Sequence, residues 1–333
     1  MKNEMLIYFF LTLILTFVLT AVITRIIIPK LKSIKLGQTI LDIGPRWHKS
    51  KEGTPTMGGI AFIIASVLSV AAVGSYAYIN NKFDSVGKVG CVMALIVMSG
   101  LIGFADDNIK FVKKQNEGLL AWQKFFLQSV TAVIFLSLMT WLGYIDTCFY
   151  IPFVKISVDF GAAYYIIAFF LITGMINSVN LTDGIDGLAS SVTFVVSGFF
   201  AVLAFRTGNF DLGFMSALSI GACLGFLVYN FHPAKIFMGD TGSLFLGGTV
   251  VGLAFLADDP LILVLAGLIY IAEALSDIIQ VLVYKLTKDH RRFFKMAPIH
   301  HHFERCGWSE NKIVGVFSFI TAIMCIIAYF AHI

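Results

Sequence analysis

"MLIYFFLTLILTFVLTAVITRIII", residues 5–28, carries a single charged side chain, Arg25. As a helix this stretch rises about 36 Å at 1.5 Å per residue. That is enough to cross a hydrocarbon core of about 30 Å. It is far longer than the apolar region of a secretory signal, so residues 1–4 lead into a first span that stays in the membrane. Nine further apolar runs follow, at roughly 57–79, 88–105, 121–142, 161–179, 187–205, 212–230, 242–257, 260–285 and 312–332. A bilayer admits only helices or closed barrels, and runs of this length are helices. The sequence therefore predicts an all-α polytopic membrane protein of about ten transmembrane helices, forming one integral membrane domain over residues 1–333. The ninth run exceeds the bilayer thickness and is expected to tilt or to break near its end. The segment 144–161, "YIDTCFYIPFVKISVDFG", alternates β-branched and aromatic residues and predicts a short hairpin.

Composition agrees with this reading. Of 333 residues, 58% are hydrophobic and 13% are charged, against about a quarter charged in soluble domains. The net charge of +4 matters less than its placement. The segments after runs one, three, five, seven and nine, with their edges, hold 18 of the 24 lysines and arginines. By the positive-inside rule these segments are cytoplasmic and both termini face outward. The five cysteines have no metal-type spacing and read as small apolar residues rather than disulfides. Nothing points to a nucleic-acid partner.

The polar clusters all fall at the cytoplasmic ends of these runs. Asp106 and Asp107 lie in "GFADDNIK", and Asn177, Asn180, Asp183 and Asp186 in "NSVNLTDGIDGLA". Asn230, Lys235 and Asp240 lie in "YNFHPAKIFMGDTGS", and His300, His301 and His302 in "MAPIHHHFE". By contrast Asp84, Asp211, Asp258 and Asp259 read as solvated turn residues on the outer face. A coupled transporter would hold its acids near the midplane. Acids gathered at one interface among basic loops suit a site where a soluble anion meets a lipid headgroup.

Each cluster allows two readings. Adjacent Asp106 and Asp107 either shift one pKa upward to make a base or are both held ionised by Mg²⁺, unless they simply face water. Asp183 and Asp186 sit where an N-cap is expected, yet capping accounts for only one of them. "FMGDTGSL" is a phosphate or Mg²⁺ turn at a helix start, or Asp240 is a plain N-cap. Lys49, Lys51, Lys113 and Lys114 satisfy the positive-inside rule, but Lys124, on the first turn of the fourth run, lies near the Asp pair. Glu273, Asp277 and Gln280 share a helix face. Three consecutive histidines cannot converge on one metal, because they splay in a helix. They suit hydrogen bonds to phosphate and to an orienting carboxylate.

"GTPTMGG", "GFADDNIK", "NLTDGIDGLA", "FMGDTGSLFLGG" and "MAPIHHHFE…GWSE" occur in this order along the chain. Together they resemble the phospho-N-acetylmuramoyl-pentapeptide transferases (translocase I, MraY), a branch of the polyprenyl-phosphate N-acetylhexosamine-1-phosphate transferases. "PIHHHFE" points to the muramoyl-pentapeptide branch, whereas Asn108 departs from the Tyr that many members carry after the Asp pair. The resemblance implies a single integral membrane transferase domain in a bacterial plasma membrane, typically homodimeric. The implied reaction is transfer of phospho-MurNAc-pentapeptide from UDP-MurNAc-pentapeptide to undecaprenyl phosphate, giving lipid I and UMP with Mg²⁺ as cofactor. The family is also the target of uridine-based nucleoside antibiotics, including tunicamycin-type compounds.

Carried over by position, the resemblance implies that Asp240 is the Mg²⁺ ligand and that Asp106 or Asp107 is the base. It implies that Asn180, Asp183, Asp186 and Asn230 bind the nucleotide substrate, that Phe237 stacks on uracil and that Gln280 contacts uridine. Lys124 and His300–His302 would stabilise phosphates, with Lys49 or Lys51 on the nucleoside. The competing readings are a GlcNAc-1-phosphate transferase of the same superfamily and a cation-coupled transporter.

Overall fold

The computed structural model describes residues 2–33, 51–113, 117–287 and 291–332. Helix α1 spans Lys2–Ser33; α2 (Ile60–Ser69) and α3 (Ser75–Ile79) are joined by a π-helical turn at Val70–Gly74. Next come α4 (Val86–Lys113) and α5 (Ala121–Trp141), a hairpin of β1 (Cys148–Ile151) and β2 (Ile156–Asp159), and α6 (Ala162–Thr182). Helices α7 (Leu188–Thr207), α8 (Phe210–Asn230) and α9 (Gly239–Leu256) follow without interruption by sheet. A 3-10 turn at Pro260–Ile262 leads into α10 (Leu263–Ala266) and α11 (Leu268–Leu286), then α12 (Ile299–Glu304) and α13 (Glu310–His332). Among the described residues, nine helices are long and apolar enough to span a membrane, taking α2 and α3 as one, and the bent α10–α11 pair makes a tenth. The protein is thus an all-α polytopic membrane protein. The hairpin forms where alternation predicted it, antiparallel, pairing Cys148 with Asp159 and Ile151 with Ile156.

Three expectations change. The ninth run breaks near its start, not its end: α10 and α11 meet at 77° around Gly267. A Cβ on Gly267 would lie 2.7 Å from the Leu263 carbonyl oxygen and 2.9 Å from Met175 Cε, so only glycine permits this bend against α6. Helix α4 does not stop at residue 105 but continues two turns to Lys113. Asp106 and Asp107 are therefore helical, one turn N-terminal to Lys110 and on its face. At the helix ends opposite the Asp pair, Asp84 and Asp258 are exposed as expected, but Asp211 and Asp259 are buried. The cause is the donors left free at helix starts. Asp211 accepts from the backbone N–H of Asp84 and Ser85 at 2.9 and 2.7 Å, while Asp84 accepts from Phe210 N–H at 2.8 Å. Asp259 is paired with the His332 ring at 3.0 Å. All five cysteines are free, three of them buried.

Helix α9 is the hub. Every residue from Thr241 to Leu256 is buried, and α4, α6, α7 and α8 all pack on it. Such burial without charge requires small side chains at the crossings, the usual device of membrane helix packing. On the other flank α1 lies against α8, with Thr12, Thr16, Thr20 and Thr24 fully buried at successive turns. There a Cβ on Gly221 would fall on the Leu13 carbonyl oxygen, so the two backbones touch.

This contact makes a stability prediction. Gly221→Val should destabilise the fold by about 1–3 kcal/mol through overpacking. Gly198→Val, at a position with no neighbour within 4 Å of an added Cβ, should not destabilise the fold, since valine is the better helix former of the two. Thermal unfolding of both variants in the same detergent checks the ranking.

Candidate active site

The site begins where α4 crosses the start of α9. A Cβ on Gly103 would strike the Asp240 carbonyl, so the helices approach to backbone contact one turn from the Asp pair. The first N–H groups of α9 have no partners within their own helix. Asp107 supplies them: its carboxylate accepts from Asp240 N–H at 3.2 Å, Thr241 N–H at 2.9 Å and the Thr241 hydroxyl at 2.7 Å. The anion also lies at the positive end of the helix dipole. The helix donors that a phosphate turn would offer are therefore taken by Asp107. Asp240 lies in the first turn of α9 rather than at its N-cap, which is Met238.

Asp106, Asp107 and Asp240 form a group in which one carboxylate oxygen from each lies within 4.8 Å of the others. Cations surround it. Lys110 Nζ pairs with Asp106 and, at 2.7 Å, with Asp240, and lies 3.8 Å from Asp107. Lys124 Nζ lies 3.3 Å from Asp240 and donates to Asn180 Oδ1 at 3.2 Å. The Asn180 amide donates to Asp240 Oδ1 and to Ser243 Oγ, both at 2.7 Å. Asp106 also accepts from Leu119 N–H at 2.8 Å. Clustered oxygen donors suit a hard divalent cation such as Mg²⁺, and the Lys110 ammonium already rests between them. Asp106 and Asp240 are the better placed ligands, because Asp107 spends its lone pairs on α9.

A second cluster lies beside the first. Asp186, 2% exposed, takes Lys51 Nζ at 2.7 Å, His232 Nδ1 at 2.9 Å and Ala234 N–H at 2.9 Å, and gives its own N–H to Glu310 at 2.9 Å. Lys51 also pairs with Glu310 at 2.7 Å. Asp186, His232 and Glu310 are close enough to share an ion, but the Lys51 ammonium already bridges the two acids. Asp183 stands between the clusters directly after α6. Burial, reinforced by the charges of Asp240, Asp107 and Asp186, holds its carboxyl well above the usual carboxylate range. Asn230, 2% exposed, braces this region, accepting from Gly187 N–H at 3.2 Å and donating to the Ile236 carbonyl at 2.9 Å.

The histidines occupy α12 and splay, as consecutive helical residues must. His300 is fully buried, with Nδ1 2.9 Å from Glu273 of α11, itself fully buried. Its Nε2 has no partner among the described residues and faces Gly184 of the DG loop, where a Cβ would collide with it. His301 pairs with Glu304 at 2.6 Å, and His302 Nδ1 accepts from Lys295 N–H at 3.1 Å. None of the three belongs to a metal-type group among the described residues. Glu273 is the orienting carboxylate, four residues from Asp277 and seven from Gln280. Gln280 caps the chain beyond α11, accepting from Phe293 and Phe294 N–H at 3.1 and 2.9 Å. Phe237 is held by backbone bonds, 2.8 Å from its N–H to Pro55 O and 2.9 Å from Gly58 N–H to its carbonyl, and its ring is partly exposed. Lys49 and Lys114 lie outside the described residues.

The sequence reading missed Lys110, because the apolar run ends before it. Spacings of three and four from the Asp pair were the available signal. It also missed His232 and Glu310, although both lie inside motifs it had marked.

The model of Glycosyl transferase family 4 matches residues 89–258, which includes both the Asp pair and Asp240. Residues 51–63, from Lys51 into α2, match the phospho-N-acetylmuramoyl-pentapeptide-transferase signature 1. A Clostridium perfringens (strain 13 / Type A) phospho-N-acetylmuramoyl-pentapeptide-transferase is 45% identical over 306 residues, covering 91% of this chain and 92% of its own. The proteins of that name from Clostridium novyi (strain NT) and Clostridium botulinum (strain Alaska E43 / Type E3) are 45% and 46% identical over 308 residues, covering 91% and 92% of this chain and 90% and 91% of theirs. At this identity over nearly the whole length, the chain belongs to the phospho-N-acetylmuramoyl-pentapeptide-transferase family and is a membrane-embedded transferase.

Proposed function

We propose that this chain, as one integral membrane transferase domain in a bacterial plasma membrane, transfers phospho-MurNAc-pentapeptide from UDP-MurNAc-pentapeptide to undecaprenyl phosphate, yielding lipid I and UMP. The observation that carries this reading is the convergence of Asp106, Asp107 and Asp240 with Lys110, Lys124 and Asn180 at one end of the helix bundle. Phosphoryl transfer is governed by positioning and charge neutralisation, and this arrangement offers both. Mg²⁺ held by Asp240 would neutralise charge on the pyrophosphate.

The chain's own groups do the rest. Asp106 takes the proton from the lipid phosphate. An oxygen of that phosphate forms a bond to the sugar-bearing phosphorus, the bond to the uridylate oxygen breaks, and UMP leaves. Lys110 and Lys124 face the phosphate oxygens, and Asn180 fixes Asp240. Asp107 positions the first turn of α9. Phe237 stacks on uracil; Gln280, Asn230, Asp183 and Asp186 shape the nucleotide pocket with Lys51. The His300–His302 helix meets the substrate phosphates when the Gly184 loop shifts. Direct attack is preferred to a phospho-Asp240 intermediate, because both Asp240 oxygens are engaged, by Asn180 and by two lysines. A phospho-sugar trapped on the protein without acceptor would overturn direct attack. The same match implies a homodimer that uridine-based inhibitors block.

Purified protein with UDP-MurNAc-pentapeptide, undecaprenyl phosphate and Mg²⁺ should release UMP, and Asp240→Asn should reduce turnover by orders of magnitude. UMP release from UDP-GlcNAc instead would move the chain to the neighbouring branch. Phe237→Ala should raise KM for the nucleotide substrate about tenfold, base stacking being worth about 1–3 kcal/mol, with kcat changed much less. Lys110→Met removes the resident cation from the carboxylate group. Mn²⁺ binding, followed by the resonance of the free ion, should tighten about tenfold while turnover falls, a tenfold change being about 1.4 kcal/mol. Unchanged or weaker Mn²⁺ binding would place the metal elsewhere.

A further inference from the structure

A polar cavity of about 450 Å³ opens at the membrane face opposite the carboxylate cluster. Lys88 marks it on α4, 18 residues before Asp106, or about 27 Å along the helix. Its wall is built from the starts of α4, α6 and α8, the end of α9, and the hairpin with its preceding loop. The volume lies in the range of small-molecule sites, about 300–1,000 Å³. Nothing in the transferase reading uses this cavity.

Its chemistry is distinctive. Four carboxylates line it, Asp84, Asp146, Asp211 and Asp258, against one cation, Lys88. Lys88 is 8% exposed and spends its charge on Asp258. Asp211 and Asp84 are partly used by the helix starts described above, and Asp146 accepts from Cys148 N–H at 3.1 Å. The wall therefore keeps a net negative charge. Three tyrosines complete it: Tyr144, Tyr150 and Tyr164. Tyr164 is 4% exposed and stacked on Phe149 at 4.3 Å, yet its hydroxyl, at the cavity wall, has no hydrogen-bond partner among the described residues. A hydroxyl with no protein partner, on a side chain otherwise packed away and lining a polar cavity, is one that a ligand or water entering the cavity can satisfy.

The spacing of the acids decides the class of ligand. A metal ion needs donors within a few ångströms of one another, and among the described residues the groups that meet this condition are Asp106/Asp107/Asp240 and Asp186/His232/Glu310, both outside this cavity. Carboxylates dispersed around a chamber of this size match a larger cation with several N–H donors. Tyrosine faces add attraction for such a cation, and N⁺–H bonds to carboxylates are the strong kind. We propose that this cavity is a binding site for an organic primary ammonium group, carried by either a phospholipid headgroup or a soluble amine, held by Asp146 with Tyr164 as hydrogen-bond partner.

Cys148 reports on the site directly. It is free, part-exposed and in the cavity wall, while Cys306 is free and exposed beyond α12. The full chain is placed in nanodiscs of phosphatidylglycerol alone or mixed with phosphatidylethanolamine, with or without spermidine. Maleimide labelling of both cysteines is followed by mass spectrometry. Occupancy should slow labelling of Cys148 about threefold to tenfold and leave Cys306 unchanged. Protection by phosphatidylethanolamine alone assigns the ammonium to a lipid headgroup; protection by spermidine in phosphatidylglycerol assigns it to a soluble amine. Asp146→Asn should remove the protection while thermal stability and UMP release stay at the wild-type level. Labelling of Cys148 that neither amine slows, or protection that survives in both Asp146→Asn and Tyr164→Phe, would overturn the proposal.

Discussion

The capping of α9 by Asp107 is the contact on which the functional end of the molecule depends. A helix start buried among other helices leaves donors that water cannot reach. One carboxylate from α4 accepts from two of those N–H groups and from the Thr241 hydroxyl. The bond is possible because α4 and α9 touch at Gly103, and it fixes the register between them. With that register set, Asp106 and Asp240 must lie near one another and near Lys110. The acid cluster is thus a consequence of helix packing as much as of the residues that compose it.

Charge at a membrane interface is tolerated only where it is paired or wetted. Here the acids of α4 and α9 have Lys110 and Lys124, and Asp186 with Glu310 has Lys51. Removing one partner of such a group leaves an uncompensated charge, which is costly. The lysines therefore hold the site together before any substrate enters, and the same ammonium groups suit phosphate oxygens. Stability and chemistry draw on the same ions. Asp183 is the exception, half-buried between the two clusters without a paired cation among the described residues, and its carboxyl is accordingly pushed toward the protonated form.

The helix-rich loops form a second layer. His300 is locked to Glu273 from α11, and its Nε2 abuts Gly184 from the loop after α6. Lys51, Asp186, His232 and Glu310 tie four distant parts of the chain into one knot. Gln280 spends its amide oxygen on the Phe293 and Phe294 N–H groups, and Asn230 spends its amide on Gly187 and Ile236, the latter next to the partly exposed Phe237. The arrangement leaves the three histidines with three different partners, which separates their roles.

Much of this was legible in the sequence. The apolar runs specify spanning helices because hydrocarbon leaves the backbone no alternative, and "YIDTCFYIPFVKISVDFG" specifies a hairpin by its alternation. The motifs "GFADDNIK", "NLTDGIDGLA", "FMGDTGSL" and "PIHHHFE" singled out the candidate site, since isolated acids, amides and imidazoles in so apolar a chain have few structural uses. Tertiary structure alone decided the pairings. Helix α4 outruns its apolar stretch because Asp106, Asp107 and Lys110 neutralise one another along it, so hydropathy could not find Lys110. Lys51 meets Glu310 across 259 positions, a distance at which no local pattern carries information. Asp211 and Asp259 looked like solvated turns but are buried, because the donors they satisfy belong to other segments or to the far terminus. The sequence determined which residues the membrane would tolerate and how many spans there are; only packing decided where a helix runs on or breaks and which charge would face which, because electrostatic partners are chosen in three dimensions after the helices have docked.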